Sequence, residues 1–178
     1  MIKKREIFTI GHSNRSLDEF LDMLLAHEIK VLVDVRTIPR SKHNPQFNSE
    51  QLALALKKRK LSYEHMKDLG GLRHTKKDSV NLGWRNTSFR GYADYMQSAE
   101  FGEALDNLIK LAQAKPTAIM CAEAVPWRCH RSLIADALTV RGFEVRDIMS
   151  TSSLKDHNLN PMAVVQDGKI TYPEEARA

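Results

Sequence analysis

The chain has 178 residues, 42% of them hydrophobic and 28% charged, a size and balance that suit one domain with a full apolar core. That composition excludes a largely disordered or collagen-like polypeptide. Formal net charge is +5 with pI ≈ 9.2, and Lys and Arg crowd at 36–42, 57–60, 73–77 and 85–90, a placement that suits an acidic partner such as nucleic acid.

In chain order, residues 1–6 are basic, but the apolar run 7–10 behind them is too short for a signal-peptide core. No stretch approaches a membrane span, and two cysteines cannot build a disulfide framework. The expected setting is therefore the cytoplasm, with both thiols free. Residues 7–10 read as a short strand, followed by Gly11-His12-Ser13-Asn14 and a helix over 16–27 with Leu17, Phe20, Leu21, Leu24 and Leu25 at helical spacing. Ser16 and Glu19 form a capping box. Residues 31–35 are a second, continuously apolar strand, and a helix over 49–60 follows. Such a βαβ unit demands a parallel sheet and a right-handed crossover. A third strand is read at 61–66.

The stretch 69–90 lacks any period and is rich in Gly, Asn, Arg and Lys, so it reads as a long loop. Gly70, Gly71 and Gly83 permit hinge motion, and Trp84, Arg85, Phe89 and Arg90 interleave aromatic with basic side chains, as a mobile cover that stacks on a base would. The alternative is that Trp84 and Phe89 tuck into the core. Helices over 92–97 and 100–114, a strand at 117–121, a helix over 132–141 and a strand at 144–148 complete a three-layer α/β sandwich with a mainly parallel sheet. A C-terminal β-hairpin over 163–172 is marked by Asp167-Gly168. We read one domain over 1–178, its core within 7–148, with no internal repeat.

In such sheets ligands bind beyond the carboxyl ends of the strands. Those ends hold Gly11, His12, Ser13 and Asn14 after the first strand, Arg36, Pro39, Arg40 and His43 after the second, and Cys121 to Arg131 after the fourth. His12, Ser13, Arg36, Arg40, Arg128 and Arg131 are the expected anion site, because guanidinium forks bind phosphate bidentately and repel one another without it. The segments Thr9-Ile-Gly-His-Ser-Asn-Arg-Ser16, Leu32-Val-Asp-Val-Arg36 with Pro39-Arg-Ser41, Phe89-Arg-Gly-Tyr-Ala-Asp-Tyr-Met96 and Cys121-Ala-Glu-Ala-Val-Pro-Trp-Arg-Cys-His-Arg-Ser132 resemble the family of bacterial and archaeal proteins known as domain of unknown function 488. The resemblance spans about 7–148. It implies an α/β fold and carries no established activity.

The chemistry therefore rests on residues. Cys129, flanked by Arg128, His130 and Arg131 ahead of a helix, is the thiol expected to have a lowered pKa, and Cys129 and His130 are candidate catalytic groups. Cys121 reads as a small apolar strand-end residue, protected from reagents. The alternative makes it the nucleophile of a loop similar to that of cysteine phosphatases, but Ala122 to Trp127 before Arg128 is one residue too long. Glu123 is a third catalytic candidate, beside the apolar Val125-Pro126-Trp127, either as a carboxylate of raised pKa acting on a glycosidic carbon or as an ion-pair partner of Arg128 or Arg131. Asp34 reads as a buried partner orienting Arg36, and His65, His74 and His157 as surface or structural residues. Adjacent Cys-His is not a metal-ligand spacing, so no metal and no cofactor is expected. The chain is either an enzyme acting on a phosphorylated small molecule or nucleotide, or a non-catalytic nucleic-acid-binding module.

Overall fold

The computed structural model describes residues 5–174. Strand β1 (Glu6–Gly11) leads through helix α1 (Leu17–Ala26) to β2 (Val31–Asp34), and α2 (Ser49–Lys58) returns the chain to β3 (Ser62–His65). Helices α3 (Thr87–Tyr95) and α4 (Ala99–Ala114) precede β4 (Thr117–Cys121), and α5 (Arg131–Val140) precedes β5 (Glu144–Ile148). Short strands β6 (Leu154–Asp156), β7 (Val164–Gln166) and β8 (Lys169–Thr171) end the order. The six-stranded sheet runs β3-β2-β4-β1-β5-β6, parallel except for β6, which lies antiparallel on β5. This is the expected three-layer α/β sandwich. The expected hairpin is β7-β8, turned by Asp167 and Gly168 at φ 52° and 75°, the left-handed pair that matches strand twist. Edge strand β6 has only three residues, and its Lys155 and Asp156 are exposed, so it carries no period that could announce it.

Strand alternation sorts the layers. Ile7, Val31, Val33, Ile119, Cys121 and Val145 face Tyr92 of α3, Leu105 and Leu108 of α4, and Leu133, Ile134 and Leu138 of α5. The intervening Phe8, Ile10, Leu32, Ala118 and Met120 face Phe20 and Leu24 of α1 and Leu52 and Leu56 of α2. Thus β1 departs along one face toward β2, while its sheet neighbour β4 departs along the other toward β5. Between β1 and β4 the connections diverge, and the carboxyl ends of a parallel sheet leave a crevice at such a switch point.

Local signals decide two boundaries. Ser16 Oγ accepts the Glu19 N–H at 3.1 Å and starts α1, but the Glu19 carboxylate turns to Arg15 instead of completing the capping box. Helix α3 begins at Thr87, ahead of the expected Tyr92, because the Asn86 side chain accepts the Ser88 and Phe89 N–H groups at 2.8 and 3.3 Å.

The segment expected to be a mobile cover is instead fastened to the fold. Asp94, only 3% exposed, accepts from Lys76 N–H at 2.8 Å, Ser79 Oγ at 2.6 Å and Asn81 Nδ2 at 2.8 Å. Asn81 Oδ1 in turn accepts the Tyr172 N–H at 2.9 Å. Trp84 stacks on Phe89 with ring centroids 4.9 Å apart and leans on Tyr172, both packed against the core beside α5. A buried carboxylate with three donors is costly to expose, which is why the segment is ordered without helical or strand period.

Candidate active site

Strand β4 delivers Cys121 at its carboxyl end with the side chain on the α5 side of the sheet. The chain then passes through a single 3-10 turn, Pro126–Arg128, stiffened by its proline, and brings Cys129 back over Cys121. The Cys129 thiol donates to Cys121 Sγ across 2.6 Å. Arg131 opens α5 and is 1% exposed. Its Nη1 reaches Cys121 Sγ at 3.5 Å and the Glu123 carbonyl at 3.2 Å, and its Nη2 reaches the Ala124 carbonyl at 3.4 Å. Arg131 Nε has no hydrogen-bond partner, and among the described residues no carboxylate pairs with this guanidinium. A buried charge without a counterion is penalised by several kcal/mol, and the anion within reach is a Cys121 thiolate.

Burial raises the Cys121 thiol, but the Cys129 S–H and the Arg131 guanidinium outweigh it, and its pKa falls below the ordinary thiol value. The Cys129 thiol is pushed well above that value, first by the bond it gives Cys121 and then by burial. The shifts run opposite to those expected from the sequence, down at Cys121 and up at Cys129, which donates to it. The reason is positional: α5 starts at Arg131, so its guanidinium turns back past Cys129 to the strand end.

His130 Nε2 lies 2.9 Å from the Val35 carbonyl, which only accepts, so that nitrogen carries the proton and Nδ1 keeps a lone pair 3.5 Å from Cys129 Sγ. Burial, with help from Arg131, lowers the His130 pKa from 6.5 to about 4. The native protein therefore binds fewer protons than the unfolded chain between those pH values, and stability must fall as pH drops through them. We expect wild type to lose up to about 3 kcal/mol more than His130→Gln between pH 6.5 and 4 in urea titrations. Parallel pH profiles would refute a neutral buried His130.

Arg36 is 6% exposed and already satisfied: Nε and Nη2 reach Asp34 at 2.9 and 2.7 Å, and Nη2 reaches the Phe47 carbonyl at 2.8 Å. Its Nη1 donates to His12 Nε2 at 3.4 Å. His12 Nδ1 donates to the Ser13 carbonyl at 2.7 Å, its ring stacks on Phe47, and burial lowers its pKa. His12 is thus a neutral acceptor beneath Arg36 and not a cation for an anion. The expected role of Asp34 as the orienting partner of Arg36 is the observed one, and Tyr63, which no motif marked, adds its hydroxyl to Asp34 at 2.6 Å.

Above these groups lies a cleft of about 460 Å³ lined by Arg36, Phe89, Tyr92, Cys121, Glu123, Arg128, Cys129 and His130 among others. The structure thus brings together all three catalytic candidates with Arg36, Arg128 and Phe89. It does not assemble the expected four-arginine clamp. Arg131 is buried under the thiols, and Arg40 and Ser13 do not line the cleft. Exposed Glu123 uses its backbone carbonyl, not its carboxylate, toward Arg131. Trp84 does not line the cleft, Arg90 Nε bonds the Trp84 carbonyl at 3.0 Å, and Arg85 is exposed. His157 pairs with Asp136 at 2.7 Å and His65 with the Arg36 carbonyl at 2.7 Å, structural roles as expected. Gly11, read from the sequence as a strand-end residue, lies at the register opposite Cys121, and its close contact with the Glu123 carbonyl is tertiary.

Among the described residues no group of three or more His, Cys, Asp or Glu is arranged to hold a metal ion, and no helix is long and apolar enough to cross a membrane. Curated proteins and solved structures give no match to this chain. The profile described as domain of unknown function DUF488 matches residues 16–138, which run from the N-cap of α1 into α5 and so take in β2, β4 and the whole cysteine loop. The chain belongs to the DUF488 family.

Proposed function

We propose that the protein is an enzyme that holds a phosphate-bearing ligand, a nucleotide or a nucleic-acid end, in the switch-point cleft and presents Cys121 to it as the nucleophile. One observation carries this reading: the buried Arg131 guanidinium, without a carboxylate partner, reaches Cys121 Sγ at the cleft floor. A thiolate, not a thiol, is the attacking species, and a cation beside it keeps it charged. Arg128, exposed at the rim and without a side-chain partner among the described residues, is the free fork for a phosphate. Phe89, half-buried at the cleft wall, offers ring surface to a base. A passive binder gains nothing from paired thiols at its floor. The same free thiols agree with a reducing, cytoplasmic setting.

Alkylation with iodoacetamide followed by peptide mass mapping tests the reading. Cys121 is expected to label at neutral pH well ahead of Cys129, and mononucleotides or short oligonucleotides are expected to slow that labelling and raise Tm. Arg128→Ala should weaken the protection about tenfold, the size of one charge-assisted hydrogen bond. Equal labelling of the two thiols, or no protection by any phosphate-bearing compound, overturns it. Protection by oligonucleotides alone, with no turnover, would favour the binding-module alternative.

A further inference from the structure

The two sulfurs stand 2.6 Å apart, inside van der Waals separation and within small side-chain motion of the roughly 2.05 Å disulfide bond. They are close in the chain as well, so closing the ring costs little loop entropy. Nothing in a phosphate-directed nucleophile requires this second thiol to face the first. We propose that Cys121 and Cys129 form a redox-active dithiol that exchanges with low-molecular-weight disulfides, Cys121 as the attacking thiolate and Cys129 as the resolving thiol. The proposal rests on the same Cys121 thiolate as the function above, but it names a different reaction and substrate class.

The steps balance. The Cys121 thiolate attacks one sulfur of a disulfide R–S–S–R, the S–S bond breaks, and the first RS⁻ leaves with the electron pair. Cys121 now carries a mixed disulfide and no charge. The hydrogen bond that raised the Cys129 pKa is thereby lost, while the Arg131 N–H remains 3.5 Å from its sulfur. The first step thus activates the second thiol. Cys129 Sγ then attacks Cys121 Sγ and displaces the second RS group. Its proton ends on that leaving sulfur, with the His130 Nδ1 lone pair, 3.5 Å away, as the nearest base. Two electrons pass from the cysteine pair to the disulfide, which leaves as two thiols. The cleft of about 460 Å³ is lined by both cysteines and has the size of a small-molecule site, with Arg128 at its rim for a carboxylate of the incoming molecule.

The test is incubation of the native full chain with glutathione disulfide, followed by intact mass and peptide mapping. Wild type is expected to lose two hydrogens through a Cys121–Cys129 disulfide, reversed by dithiothreitol, without accumulating an adduct. Cys129→Ser is expected to trap a stable glutathione adduct on Cys121, and Cys121→Ser to lose both products. A persistent glutathione adduct in wild type, or an internal disulfide that forms as slowly as in denatured chain, overturns the resolving role. If Cys121 labels quickly with iodoacetamide while no internal disulfide forms, the dithiol fails and the nucleophile stands. If Cys121 labels slowly, the thiolate itself fails and both fall.

Discussion

Asp34→Ala is expected to be the most damaging single polar substitution in the protein, costing about 3–5 kcal/mol, because it strands a buried guanidinium. Asp34 is wholly buried and meets Arg36 through both carboxylate oxygens, at 2.9 and 2.7 Å, and also accepts the Arg36 N–H at 3.0 Å and the Tyr63 hydroxyl at 2.6 Å. Removing the carboxylate leaves Arg36 a carbonyl and a neutral imidazole as partners, neither of which cancels its charge. The double variant Asp34→Ala with Arg36→Met should recover a large share of the loss, since the penalty comes from the stranded charge and not from absence of the pair. Urea denaturation of the four proteins measures the cycle. A double variant no more stable than Asp34→Ala alone would show that the pair itself supplies the stability, and additive losses would show that the two side chains act independently.

Gly11→Ala is expected to cost about 3 kcal/mol or more and to slow Cys121 labelling in the same step. A Cβ at Gly11 would stand 1.8 Å from the Glu123 carbonyl oxygen and 2.9 Å from Ala124 Cα, so backbone must move. Gly11 pairs with Cys121 in the sheet register, and the displaced loop is the one whose Glu123 and Ala124 carbonyls hold Arg131. Gly102→Ala in α4 is the control: nothing lies within 4 Å of its added Cβ, and it should stabilise by about 0.5–1 kcal/mol through helix propensity. Thermal melts with thiol labelling separate the two. A Gly11→Ala protein as stable and as reactive as wild type would mean that the two strand-end loops are not held in contact.

The sequence by itself determined the layers and the crevice. Largely apolar strands at 7–10, 31–35 and 117–121 mean burial on both faces, helical spacing between them means crossovers, and parallel order then gathers the strand carboxyl ends at Gly11, Arg36 and Cys121. Asp34 as the partner of Arg36 was legible too, because a carboxylate inside an apolar strand needs a nearby cation. The role of each group in the crevice was decided only by tertiary structure. Cys129 looks like the activated thiol because its cationic neighbours are adjacent in sequence, yet the Arg131 guanidinium turns back onto Cys121 and leaves Cys129 a donor. Four arginines look like a clamp until Asp34 takes one and the buried side of α5 takes another. The aperiodic 69–90 stretch looks mobile until Asp94, from the following helix, gathers its donors. Charge, burial and hydrogen bonding act through distances of a few ångströms. Those distances join residues far apart in the chain, and no periodicity records them.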